Sequence, residues 1–102
     1  MNMKIKIEKN NMVMGASVRM VFPITTEIAG ALGVNADSET KVVIYDNGFT
    51  GVVKDEDHRE TIIKRLTLKE RRTASVSLFP RTINGVNIRN YSDSLHYLNL
   101  NK

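Results

Sequence analysis

The feature that most restricts the fold is a turn signal, Asn47-Gly48, set between two runs of strand-forming residues, Lys41-Val42-Val43-Ile44-Tyr45 and Phe49-Thr50-Gly51-Val52-Val53. A two-residue Asn-Gly loop suits the positive φ angles that a type I′ hairpin turn requires at both central positions. Pairing across such a turn predicts Val42 opposite Val53 and Ile44 opposite Gly51 on one face, with Val43 opposite Val52 and Tyr45 opposite Thr50 on the other. Both faces are then largely apolar, which predicts a ribbon covered on both sides. A two-stranded ribbon is not stable alone, so dimerisation is one way to cover it.

Upstream, Ala16, Val18, Met20 and Phe22 alternate with Ser17, Arg19 and Val21, predicting a strand that runs into Pro23. Residues 23–33 predict one short helix. Thr25 or Thr26 can cap it, Glu27 lies in the first turn where the helix dipole favours an anion, and Gly33 suits the C-terminal cap. Ile28 and Leu32, four apart, would form its buried stripe. The first strand is expected at Met3–Lys9, with Met3, Ile5 and Ile7 inward and Lys4, Lys6 and Glu8 outward. A loop from Asn10 to Gly15 would follow it.

A basic strand, then Gly15-Ala16-Ser17-Val18-Arg19, then a proline opening a helix that ends in Leu32-Gly33, then an Asn-Gly hairpin: over residues 3–54 this order resembles the AbrB/MazE swapped-hairpin family, and its antitoxin branch most closely. The resemblance implies that two chains interlock their hairpins into one small barrel, which binds double-stranded DNA through basic residues of the first strands and the loop between them. Carried onto this chain, Lys4, Lys6 and Lys9 become phosphate contacts. Asn10, Asn11 and Ser17 join them, and Arg19 becomes the base reader, since a guanidinium can bond a guanine edge bidentately. The plain alternatives are lysines that protect an edge strand and tandem Asn as turn chemistry. The chain departs from the family in placing Met20-Val21-Phe22 where one residue is usual, and in having no Lys or Arg in the Asn10–Gly15 loop.

Composition bounds the rest. A chain of 102 residues without cysteine can hold neither a disulfide nor a thiolate metal site, and a cytoplasmic location is the natural expectation. No apolar run approaches the ~20 residues of a membrane span, and no cofactor is expected. Charge is uneven along the chain. Residues 61–102 carry eight Lys/Arg against two Asp/Glu, a net +6, whereas residues 1–54 carry six against five. Such an excess favours nucleic-acid phosphates or an acidic protein surface, and serves equally as a solubilising face.

After Val53 the composition turns to Lys-Asp-Glu-Asp-His-Arg-Glu, which predicts a boundary between a domain at 1–54 and a basic appendage at 55–102. Asp57 and Glu60 have capping-box spacing and Ile62, Ile63 and Leu66 have helical spacing, so a helix is expected over about 57–67. Thr73 to Pro80 reads as extended, Asn84-Gly85 as a second hairpin turn, and 92–98 as one closing helical turn. The expected class is mainly β with short helices (α+β): an N-terminal swapped-hairpin dimeric barrel plus a small α+β C-terminal appendage.

Antitoxins of the resembled branch carry an acidic, partly disordered tail, which a +6 segment with hairpin signals does not match. The expected function is therefore a homodimeric DNA-binding transcriptional regulator that recognises an approximate inverted repeat, with Lys64, Arg65, Arg71 and Arg72 as secondary contacts. The alternative is an antitoxin-like or mobile-element-encoded inhibitor that blocks a partner protein through residues 55–102. His58 and His96 stand far apart without metal-ligand spacing, and no nucleophile elbow or Gly-rich phosphate loop is present, so catalysis is not expected.

Overall fold

In the computed structural model, residues 6–13, 15–35, 37, 39–54 and 59–102 are described, residues 6, 8–13 and 59–62 by their backbone alone. The strands β1 (Lys6–Val13), β2 (Ala16–Pro23), β3 (Thr40–Tyr45), β4 (Phe49–Lys54) and β5 (Arg59–Arg65) form one antiparallel sheet in the order β1-β2-β3-β4-β5. Helix α1 (Thr26–Leu32) connects β2 to β3, and α2 (Leu68–Leu78) follows β5. A hairpin of β6 (Arg81–Ile83) and β7 (Val86–Ile88) and a last helix, α3 (Tyr91–Leu100), complete an α+β fold. β1 and β5 are the two edges, so the sheet is open and not a closed barrel.

The strand expected to run into Pro23 is present as β2, but it is buried on both faces: Val18, Met20 and Phe22 join one core cluster, Ala16 and Val21 join the other, and Arg19 is buried as well. The helix also forms as its sequence dictates: the Thr25 hydroxyl accepts from the Ile28 N–H at 3.2 Å, and Gly33 takes the left-handed conformation at φ +70. Both faces of the β3–β4 ribbon are covered, Val42, Val43, Ile44, Tyr45 and Val52 being fully buried.

The turn that joins them differs from the type I′ expectation. Asn47 is not at positive φ; Gly48 is, at +91, and its N–H bonds the Tyr45 carbonyl at 3.0 Å. The loop is therefore three residues, Asp46-Asn47-Gly48, with glycine in the bulge position. Every pairing slips by one residue from the expected register: Val42 faces Val52, Val43 faces Gly51 and Ile44 faces Thr50. The cause is Asp46, whose backbone N–H bonds the Val18 carbonyl and whose carboxylate accepts from the N–H groups of Ser17 and Val18. Those bonds draw Asp46 out of the ribbon and into the turn. At Asn84-Gly85 nothing competes, and both residues take positive φ, 50 and 80, in the expected two-residue loop.

Three other expectations change. Residues expected as the Asn10–Gly15 loop are largely strand, because β1 runs through Asn10 and Asn11 to Val13 with an irregularity between Lys9 and Val13. The segment expected as a helix over 57–67 is β5: Thr61-Ile62-Ile63 is a β-branched run, and the edge of β4 offers it a ladder, Val52 to Ile62 and Gly51 to Ile63, with an irregularity between Val52 and Val53. Its expected cap at Asp57 lies outside the described residues. The extended reading of 73–80 gives way to α2, which starts from a capping box ten residues beyond Asp57. The Thr67 hydroxyl accepts from the Glu70 N–H, and the Glu70 carboxylate accepts from the Thr67 N–H at 2.8 Å. Ala74 and Leu78, four apart, are its buried residues.

The larger core cluster joins Val18, Met20, Phe22, Val42 and Ile44 of the sheet with Leu78, Phe79, Ile88, Tyr91 and Leu98. It thus draws on both sides of the boundary expected at 54/55, and Phe22 and Phe79 meet edge to face at 5.5 Å. A smaller cluster on the opposite face, built on Val21, Val43, Tyr45 and Val53, takes all its members from strands of the sheet. Phe22→Ala should therefore cost about 3–5 kcal/mol and lower the midpoint of a single urea transition followed by both fluorescence and circular dichroism. Two separate transitions would mean that residues 1–54 and 55–102 are stable independently.

Candidate nucleic-acid interface

The structure separates the predicted contacts into three groups. Lys4 lies outside the described residues, and of Lys6, Lys9, Asn10 and Asn11 only the strand backbone is described. Ser17 and Arg19 are on β2 and serve the fold. Ser17 is half-buried, donating its N–H to Asp46 Oδ1 at 2.9 Å and its hydroxyl to Oδ2 at 3.4 Å. Arg19, expected to read bases, is only 4% exposed and donates from Nη1 to the Tyr45 hydroxyl at 3.3 Å. Reading a groove needs an exposed fork, so in this chain Arg19 is placed as an interior residue beside its cross-strand neighbour Tyr45.

The secondary candidates are brought together where β5 passes into α2. Lys64 is neutralised there, its ammonium 2.9 Å from the Glu70 carboxylate. Arg65 is exposed; its guanidinium lies 4.6 Å over the Phe49 ring and donates from Nη1 to the Asn47 carbonyl at 3.2 Å. Arg71 lies 5.8 Å over the Tyr91 ring, and its buried Nε has no hydrogen-bond partner. Arg72 is exposed, as is Lys69 one helical turn before it. Among the described residues, none of Arg65, Arg71 and Arg72 is ion-paired with a carboxylate. Stacking on a ring occupies the face of a guanidinium and leaves its N–H edges for an anion.

Sequence reasoning missed the residues that support these arginines. Tyr91 is at the start of α3, capped by Asn90, and its hydroxyl reaches back to the β3–β4 turn. It donates to the Gly48 carbonyl at 3.2 Å and accepts from the Thr50 hydroxyl at 2.7 Å. Burial raises its pKa, while the Thr50 hydroxyl and the positive charges of Arg71 and Arg65 act in the opposite direction. Nothing local marks Tyr91 or Phe49 as a partner of an arginine.

No group of three or more His, Asp or Glu among the described residues is placed to hold a metal ion, and no helix among them is long and apolar enough to cross a membrane. No protein-family model, no curated protein and no solved structure matches this chain.

The Lys64 ammonium, with help from the Thr67 N–H, holds the Glu70 carboxyl below its ordinary value of 4.5. A lowered carboxyl contributes stability that is complete above the ordinary value and disappears as pH falls through the lowered one. Glu70→Gln should therefore flatten the fall in stability below about pH 4.5, measured by urea unfolding across an acid series; an unaltered profile would remove Glu70 as a contributor. At the turn, Asp46→Ala leaves two strand N–H groups without their acceptor and should cost about 2–3 kcal/mol. Asp46→Asn, which keeps one acceptor oxygen, should cost less in the same measurement.

Proposed function

We propose that this chain is a DNA-binding regulator, not an enzyme, which docks on phosphates through the basic face at the β5–α2 junction. The observation that carries the reading is that Arg65, Arg71 and Arg72 have no carboxylate partner among the described residues, two of them being held on aromatic rings. The +6 excess over residues 61–102 supports it, as an excess of positive charge raises the local concentration of a polyanion. Relative to the expectation from the family, the contact surface moves from Arg19 to this junction. Lys6 and Lys9 on β1 remain auxiliary contacts in this reading.

The homodimeric part of the proposal rests on the resemblance to the swapped-hairpin family. Exchange of the β3–β4 ribbon between two chains would preserve its pairings with β2 and β5 and would relate two basic faces by a two-fold axis. An approximate inverted repeat is the site that matches such symmetry. A chain without cysteine suits the reducing cytoplasm, where a regulator of this kind would act.

One observation favours the alternative of a protein inhibitor. Leu68 and Val76 on α2 are 73% and 83% exposed, with Arg72 between them on the same helical face. An apolar stripe interrupted by an arginine suits a protein partner with an acidic rim.

The deciding experiment is a salt series of duplex binding by fluorescence anisotropy, with the mass in solution determined in parallel. The logarithm of affinity should fall linearly with that of salt, and Lys69→Gln and Arg72→Gln should each reduce the slope by about 1. Leu68→Ser with Val76→Ser should leave DNA affinity unchanged. Binding without salt dependence, or none at all, would defeat the DNA reading in favour of a protein partner.

A further inference from the structure

We propose that the exposed face of α2 docks an acidic helical segment of a partner protein and that this partner excludes DNA, an inference that rests on reading the β5–α2 junction as the phosphate-contacting face. The exposed residues of α2 are Leu68, Lys69, Arg72 and Val76. At about 100° per residue all of them fall within an arc of about 100°, with Leu68, Arg72 and Val76 one turn apart along it. The opposite side of the helix is occupied by the fold, Ala74 and Leu78 being in the larger core cluster. Four large apolar side chains are exposed among the described residues, and two of them, Leu68 and Val76, stand on this one arc on either side of an arginine.

The charge on the arc selects the occupant. Lys69 and Arg72 are both cations, the arc holds no carboxylate, and neither cation is ion-paired among the described residues. The one acid of the helix, Glu70, lies outside the arc and is engaged by Lys64 and the Thr67 N–H. A second copy of this chain laid across the same face would set Arg72 against Arg72, and like charges oppose that pairing. Duplex DNA would meet the cations and leave Leu68 and Val76 in water. A helix with an apolar residue, an Asp or Glu four positions on and another apolar residue four beyond that answers all of them. Its apolar side chains cover Leu68 and Val76, and its carboxylate meets the guanidinium between them. Because Lys69 and Arg72 also serve the proposed contact with phosphates, a partner seated here removes both from the DNA face.

The probe is a labelled synthetic helical peptide with Leu, Glu and Leu at successive fourth positions of one face on an alanine and glutamine background; the control peptide has Lys in place of Glu. Binding to the full chain is followed by fluorescence anisotropy, alone and in competition with a duplex of mixed sequence, with the mass in solution determined alongside. The Glu peptide should bind more tightly than the Lys peptide and displace the duplex. Leu68→Ser with Val76→Ser should weaken it about tenfold, and Arg72→Glu should reverse the preference toward the Lys peptide. No binding of the Glu peptide, binding that the double variant does not alter, or a preference that Arg72→Glu does not reverse would overturn the docking face; a duplex that still binds with the expected salt slope then leaves the DNA reading standing. Peptide and duplex bound together would overturn the exclusion. A chain that binds the Glu peptide as expected but no duplex keeps the docking face and defeats the DNA reading, and the exclusion with it. A mass that falls from dimer to monomer in the double variant would assign the face to a second copy and overturn the partner.

Discussion

Asp46 is 8% exposed, and its carboxylate takes hydrogen bonds from the Ser17 N–H, the Ser17 hydroxyl and the Val18 N–H. Its backbone N–H bonds the Val18 carbonyl, and its own carbonyl accepts from the Asn99 side-chain amide at 3.0 Å. One residue therefore joins the start of β2, the turn between β3 and β4, and α3. A carboxylate that accepts from backbone N–H groups in a dry setting makes a stronger bond than a neutral acceptor. Spending Asp46 in this way sets the length of the turn, and the turn length sets the register of the ribbon.

The register has consequences some distance from the turn. It sets Thr50 opposite Ile44 and Phe49 on the face of Tyr45, and the separate β4–β5 ladder then pairs them with Lys64 and Arg65. Thr50 and Tyr91 can then share a hydrogen bond in the larger core, and Arg65 can lie over Phe49 on the other face. A ribbon joined by a two-residue turn would shift one strand by a residue and exchange the faces of its side chains. The face on which Arg65 meets Phe49 thus follows from the turn that Asp46 holds, although Asp46 carries the opposite charge.

The chain uses arginine in two physically different ways. Arg19 is enclosed and hydrogen-bonded to a tyrosine, where its charge is far from solvent and its long stem fills space between strands. Arg65 and Arg71 rest their planar faces on aromatic rings, and neither is ion-paired with a carboxylate among the described residues. Charge counts along the sequence treat the two cases alike. Burial and stacking separate them, and they make the second pair, not the first, the better candidate for contact with a polyanion.

What the sequence determined by itself was local: the extended run of β2 into Pro23, the caps of α1 at Thr25 and Gly33, the Asn84-Gly85 turn, and the apolar character of both faces of the β3–β4 ribbon. Each of these depends on side chains within a few residues of one another, so spacing alone carries it. Only the tertiary structure decided that 59–65 is a strand, that 68–78 is a helix, and that Asp46 belongs to a turn. It also decided which arginines are enclosed and which are offered. The free edge of β4, the N–H groups of Ser17 and Val18, and the rings of Phe49 and Tyr91 made those choices. They act through hydrogen bonds and contacts between residues as many as 43 positions apart, such as Tyr91 and Gly48, which no local pattern records.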